Sequence, residues 1–187
     1  MKYSLLFLLT FVLVSCAPKF EVNSSNTSKY ADPSKSIVYV GENNTLTNKI
    51  SDIKLNPVLE KDKSNQEIRK ISLELYSKSN EKYQFGMIKS ISISDDANNT
   101  ILLNSTDFNS APYVYMNNGK QIKSNDVIET CMFTLDKSQY ESIMNSNTID
   151  VKITGVRKNF SILNKDISKN FKVNLKSFYN SYISKTN

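Results

Sequence analysis

From residue 36 onward, hydrophobic and polar residues alternate with a period of two, in short runs broken by turn-forming clusters. Such alternation places every second side chain on one face of a pleated strand. It predicts strands over "SIVYV" (Ser36–Val40), "NKISDIKL" (Asn48–Leu55), "IRKISLELYS" (Ile68–Ser77) and "MIKSISIS" (Met87–Ser94). "TILLNS" (Thr100–Ser105) and "YVYM" (Tyr113–Met116) continue the series. The breaks between runs are "GENN", "NPVLEKDKSNQ", "SDDANN" and "NNGK", rich in the Asn, Asp, Gly and Pro that turns require. In "SISIS", Ile91 and Ile93 are expected to face a core while Ser90, Ser92 and Ser94 face water. This half predicts an antiparallel sheet or sandwich.

The rhythm changes after residue 126. Val127, Glu129, Cys131, Phe133 and Leu135 share one face of a further strand. Asp136 then precedes Gln139 by three, the spacing of a capping box, and opens a short helix through Met144 with Tyr140, Ile143 and Met144 as its apolar face. "IDVKITG" and "NFSIL" predict a hairpin around "GVRKN". From Asp166 to about Ser184 the spacing predicts an amphipathic helix with Ile167, Phe171, Leu175, Phe178 and Tyr182 on one stripe. Lys169, Lys172 and Lys176 fall on a different face of it. The fold class expected is α+β: a mostly antiparallel sheet or sandwich with a short helix and a C-terminal amphipathic helix, in a single globular domain over residues 37–187.

The N-terminus follows other rules. Lys2 precedes an apolar run of ten residues, Leu5 to Val14, broken by Thr10. A membrane-crossing helix needs about twenty residues, so a secretory signal fits better. The residues Leu13-Val14-Ser15-Cys16 resemble the lipobox of bacterial lipoproteins. That resemblance implies removal of residues 1–15, a diacylglycerol on the Cys16 thiol, and an N-acyl chain such as palmitate on its new amino group. It also implies a location in the bacterial cell envelope. Ala17 stands where many double-membrane bacteria use Asp to retain a lipoprotein in the inner membrane, so the outer membrane is favoured. Several acyl chains on one residue anchor stably where one does not. Residues 16–36, with "NSSNTSKYADPSKS", are expected to be a flexible polar tether with a reach of roughly 25 Å. The short helix, the strand patterned Φ-x-Φ-x-Φ-x-G (Φ apolar) and the closing helix also resemble the C-terminal regions of bacterial lipoproteins. That second resemblance carries over no functional residue.

Charge narrows the partners. The chain has 22 Lys against two Arg, Arg69 and Arg157, beside 23 Asn. Arg supplies the planar fork that phosphates and guanine edges prefer, so no nucleic-acid partner is expected. Most of the net charge of +6 lies after residue 156, with seven basic residues against Asp166 alone. Lys169, Lys172 and Lys176 are therefore candidates for contact with an anionic surface, each lysine contributing about 1 kcal/mol near a charged membrane. A helix docked by its stripe with a solvated lysine face explains the same pattern.

Candidate chemistry is sparse. The chain has no His, which excludes Ser-His-Asp and Cys-His catalysis and His-ligated metal sites. No nucleophile elbow, P-loop or dinucleotide motif occurs. Cys131 sits on an apolar strand face without a nearby base, and reads as a small buried hydrophobe. The one adjacent acidic pair, Asp95-Asp96, lies in a predicted hairpin tip. With Asn98 and Asn99 it offers oxygens for Ca²⁺, but the Gly and distal Glu of an EF-hand are missing. Asp126 and Glu129 are three apart on a strand and point to opposite faces. Asn-x-Ser/Thr triplets, as at Asn23, Asn26, Asn43, Asn98 and Asn104, are expected by chance in an Asn-rich chain. No cofactor is expected beyond the lipid on Cys16. A non-enzymatic role follows: binding, assembly or structural support at a membrane surface, with an envelope protein as a further partner. The alternatives are a surface-exposed adhesin or host-factor binder, and a hydrolase of cell-wall glycan that uses two carboxylates.

Overall fold

The computed structural model describes residues 19–25, 29–49, 52–80 and 84–184; the apolar N-terminal run, Cys16 and Ala17 lie outside the described residues. Ten strands are described: β1 (Glu21–Ser25), β2 (Ser36–Glu42), β3 (Thr45–Thr47), β4 (Asp52–Asp62), β5 (Ile68–Asn80), β6 (Ile88–Asp95), β7 (Thr100–Asn117), β8 (Lys120–Leu135), β9 (Ile149–Gly155) and β10 (Asn159–Ile162). Two helices join them, α1 (Lys137–Asn145) and α2 (Phe171–Phe178). The fold is mostly antiparallel β with two short helices, as the alternation predicts.

All strand pairs are antiparallel, in the order β1-β2-β4-β5-β8-β7-β6-β9-β10, with β3 beside β4. Strand β7 joins two layers. Its first residues, Thr100–Asn104, pair with β6, and Ser105–Asn117 pair with β8. Between the layers lies one buried cluster. Leu73, Leu75, Cys131 and Phe133 enter it from one side, and Ile91, Ile93, Val151 and Ile153 from the other. Phe171, Leu175 and Phe178 of α2 and Tyr140 and Ile143 of α1 complete it. Each fully buried side chain of this kind contributes about 1.5–3 kcal/mol.

Helix α1 begins where the capping box places it. Asp136 accepts from the Gln139 backbone N–H, and the Gln139 side chain accepts from the Asp136 N–H. The Tyr140 hydroxyl donates to the Leu175 carbonyl at 3.0 Å and ties α1 to α2.

Three expectations need correction. The segment "NPVLEKD" is not a break: β4 runs through it, and Asn56, Pro57, Val58 and Leu59 are buried. Proline lacks the N–H a ladder needs. Pro57 is tolerated because β4 changes neighbour there, pairing with β3 at residues 53–54 and with β2 from Val58 onward. Asn44 fills the gap, donating its side-chain amide to the Leu55 carbonyl while its backbone N–H donates to Asn56 Oδ1.

Second, residues 16–36 are not a free tether over their described part. Residues 21–25 pair with β2, Phe20 and Val22 pack on the core, and Tyr30 and Ala31 cover Val38, Val40 and Val58 on the opposite sheet face. Lys29 Nζ lies 2.6 Å from a Glu74 carboxylate oxygen that is largely shielded from water. An edge strand needs few inward apolar residues, so its polar composition disguises it. The folded part begins by Phe20 and not at residue 37.

Third, the C-terminal helix starts later than its stripe. Residues 164–166 form a 3₁₀ turn, α2 starts at Phe171, and residues 179–183 form a π turn. The wider turn brings Ile183 into the core after Phe178, while Tyr182 stays half-buried against Phe178 and Tyr39.

Candidate interaction surface

The second half of β7 and the first half of β8 extend past the body as a two-stranded arm. Strand β5 pairs with β8 only as far as Asp126, and β6 pairs with β7 only up to Asn104. Among the described residues, the ribbon from Val114–Lys123 to its turn pairs with no other strand. The turn is built from "NNGK": Asn118 and Gly119 both have positive φ, 48° and 76°. That is the geometry of a type I′ hairpin turn, and Gly119 accepts it at no steric cost.

A bare two-stranded ribbon is only marginally stable. Here the Tyr113 and Tyr115 rings stack at 6.2 Å on one face, and the Lys78 ammonium sits 3.6 Å from the centre of the Tyr113 ring. Ile122 pairs with Tyr115 across the strands and shares that face. Val114 and Met116 project from the other face, beside Lys123 and Gln121. Exposure here is large for apolar groups: Val114 47%, Tyr115 41% and Met116 64%. Between residues 108 and 125 the charged residues are Lys120 and Lys123, with no carboxylate among them. The free edge of β7 is irregular. Its pairing slips between Thr106 and Asn109 and again between Pro112 and Val114, Asp107 has φ +54°, and Pro112 offers no N–H. These are the features that discourage a further strand from adding to an edge.

The alternation signals part of this arm, since it predicts "YVYM" as a strand. It does not join that run to Thr100–Ser105 as one 18-residue strand. The usable signal is "NNGK" flanked by Tyr115 and Met116 on one side and Ile122 on the other, a hairpin signature.

The structure separates the three candidate lysines. Lys169 and Lys176 are exposed. Lys172 Nζ donates to the carbonyls of Ser146 and Asn147, at 2.7 and 2.5 Å, at the C-terminal end of α1. A cation there satisfies helix-end carbonyls and the negative end of the dipole, so Lys172 has structural work. Ser168 and Asn170, flanking Lys169, line a polar cleft of about 720 Å³ together with Lys19 and Phe20. Lys169 is thus the sequence neighbour of two residues that line the same cleft as Lys19.

Cys131 is buried, and burial, reinforced by the Glu129 and Glu74 charges, pushes its thiol up to about 12. A thiol so placed is protonated and unreactive at neutral pH. Asp95 spends its carboxylate on its own turn, accepting from the Ala97 and Asn99 backbone N–H groups at 2.9 and 2.8 Å and from the Asn99 amide at 2.9 Å. The Asn99 amide, helped by those N–H groups, holds it below the usual carboxylate range. Asp96 accepts from the Asn147 amide at 3.0 Å. Asp126 faces Lys78 at 3.8 Å, whereas Glu129 is buried in the core. Glu74 and Asp107 line one cavity of about 140 Å³, but Glu74 is already bound by Lys29 and by the Tyr30 hydroxyl. Among the described residues, no three His, Cys, Asp or Glu side chains are grouped to hold a metal ion. No helix among them is long and apolar enough to cross a membrane.

No family model, curated protein or solved structure matches this chain.

Proposed function

We propose that this protein is held on a bacterial envelope membrane by lipid on Cys16 and works there by binding, not by catalysis. The β7–β8 arm carries this reading. It presents Tyr113, Val114, Tyr115, Met116 and Ile122 outside the core, with two lysines and no carboxylate, which is recognition chemistry without a reactive group. The lipobox-like "LVSC" supplies the anchor, and residues 17 and 18 connect it to Lys19 and so to β1.

The test is metabolic labelling with a clickable palmitate analogue, followed by membrane fractionation. Wild-type protein is expected to carry label and sediment with membranes. Cys16→Ser is expected to lose the label and leave the membrane fraction. A Cys16→Ser protein that keeps both would refute the anchor.

A further inference from the structure

We infer that the tip of the β7–β8 arm is a lipid-contacting element that inserts into the headgroup region of an anionic bilayer. This deepens the reading above and rests on it, because the bilayer concerned is the one that holds Cys16.

Apolar side chains leave the ribbon on both faces. Tyr113, Tyr115 and Ile122 point one way, and Val114 and Met116 the other. A flat protein face would cover one of these sets and leave the other wet, whereas a bilayer surrounds an inserted ribbon. The residue types fit the interface: tyrosines place a ring among acyl chains and a hydroxyl among headgroups. Lys120 and Lys123 are the charged groups of the segment, and they complement anionic phosphates. Strand addition to the β7 edge is opposed by Pro112 and by the slipped pairing of that strand.

Through the antiparallel pairs of β1, β2, β4, β5 and β8, Asn23 lies level with Thr134, fourteen residues from Lys120, and the chain before Asn23 runs toward the end of the sheet from which the arm leaves. Phe20 stands four residues on from Cys16. Fully extended, that length of chain reaches about 14 Å. Lys19 lines a cleft with Ser168 and Asn170, the neighbours of the exposed Lys169, and both lysines add positive charge. The arm runs about 20 Å from Pro112 to its turn.

The chain contains no Trp, so one introduced indole reports one place. Full-length lipidated Tyr115→Trp protein is reconstituted into phosphatidylcholine vesicles with and without phosphatidylglycerol. Acyl-brominated lipids serve as quenchers. The expected result is blue-shifted emission and strong quenching in the anionic vesicles. Leu102→Trp, exposed on the other half of β7, is expected to stay unquenched. Lys120→Gln with Lys123→Gln is expected to lower the ratio of inserted to withdrawn arm about 30-fold, from about 5-fold per lysine near a charged surface. Anchored Tyr115→Trp protein whose indole emission is neither shifted nor quenched overturns the inference. So does equal quenching in neutral vesicles that ignores the lysine substitutions, or crosslinking of position 115 in native membranes to a protein while vesicles give no quenching. Failure of the protein to stay with vesicles at all is a distinct result: it refutes the anchor, and the inference falls with it.

Discussion

Glu129→Gln tests how the base of the arm is tied to the core. Glu129 lies on the core face of β8 and is 1% exposed. Its two carboxylate oxygens each accept a backbone N–H, from Phe85 and Gly86, both at 2.8 Å. That pair fixes a loop in which Gly86 has φ +72° and Phe85 is fully buried, edge-on to Phe160. Glutamine keeps the shape but has one acceptor oxygen, so one N–H faces an NH₂ group. A hydrogen bond to a charged group contributes about 1.5–3 kcal/mol, and a stranded buried donor costs about 1–3 kcal/mol. Two effects offset this loss. A neutral side chain is easier to bury than a carboxylate. The Ser77 hydroxyl, directly opposite Glu129 in the β5–β8 pairing, has no partner among the described residues and can accept from the new amide. The net cost is therefore set near the low end, about 2 kcal/mol. For a domain of this size that corresponds to a fall in Tm of about 4–8 °C. Thermal unfolding by circular dichroism measures it, and amide exchange at Phe85 and Gly86 locates it. A variant melting within about 1 °C of wild type, with both amides still protected, would refute the account of this carboxylate.

The other expectations concern the thiol and a helix cap. Cys131, with its thiol pushed up to about 12, should resist iodoacetamide in the folded protein and react once it is unfolded. Cys131→Ala should leave lipid anchoring and vesicle binding unchanged and cost about 1–2 kcal/mol, read by denaturant titration; alkylation of native protein at pH 7 would contradict this. Asp136 accepts from the Ser138 hydroxyl and the Gln139 N–H, which together hold its carboxyl below the usual range, the hydroxyl contributing most. A carboxyl depressed in the folded state stabilises fully above its ordinary value near about 3.9 and ceases to do so as pH falls through its folded value. Protection of the α1 amides should therefore drop below about pH 4 in wild type. It should drop less in Asp136→Asn, which still caps but does not titrate; identical acid profiles would count against the cap.

What can be read from the chain is what neighbouring residues decide among themselves. The Asp136–Gln139 capping box, the β9–β10 hairpin and the alternation of β6 are local, and each forms as its spacing indicates. The corrections sit where distant segments decide. Pro57 is excluded from most strand interiors, and nothing local shows that β4 swaps β3 for β2 as its neighbour there. The polar residues of β1 resemble a linker because one face of an edge strand meets water. The α2 stripe is continuous from Ile167, yet the Ser168 N–H donates to the Leu46 carbonyl at 2.8 Å. That long-range bond holds the chain in a turn until Phe171. By spacing, Lys172 is equivalent to Lys169 and Lys176 on a helical face, and it is the end of α1, 26 residues earlier, that claims it.

The arm differs from these cases, because the same alternation that builds the core also builds it. Tyr113, Val114, Tyr115 and Met116 follow the period of buried strands, and no residue from 106 to 118 belongs to the buried core. Alternation therefore announces a strand, and only the register with β8 shows that this one has left the body. Outside the core, these side chains add little to the stability of the fold. Substitutions such as Met116→Ser are expected to leave the packed cluster around Phe133 and Phe171 intact. Glu129 marks the boundary between the two regimes. Toward Leu135 from it, β8 alternates into the core; toward Lys120, its apolar residues Ile128, Val127 and Ile122 are only half-buried. On the proposed reading, binding and stability belong to opposite ends of one strand, and each is expected to be perturbed without the other.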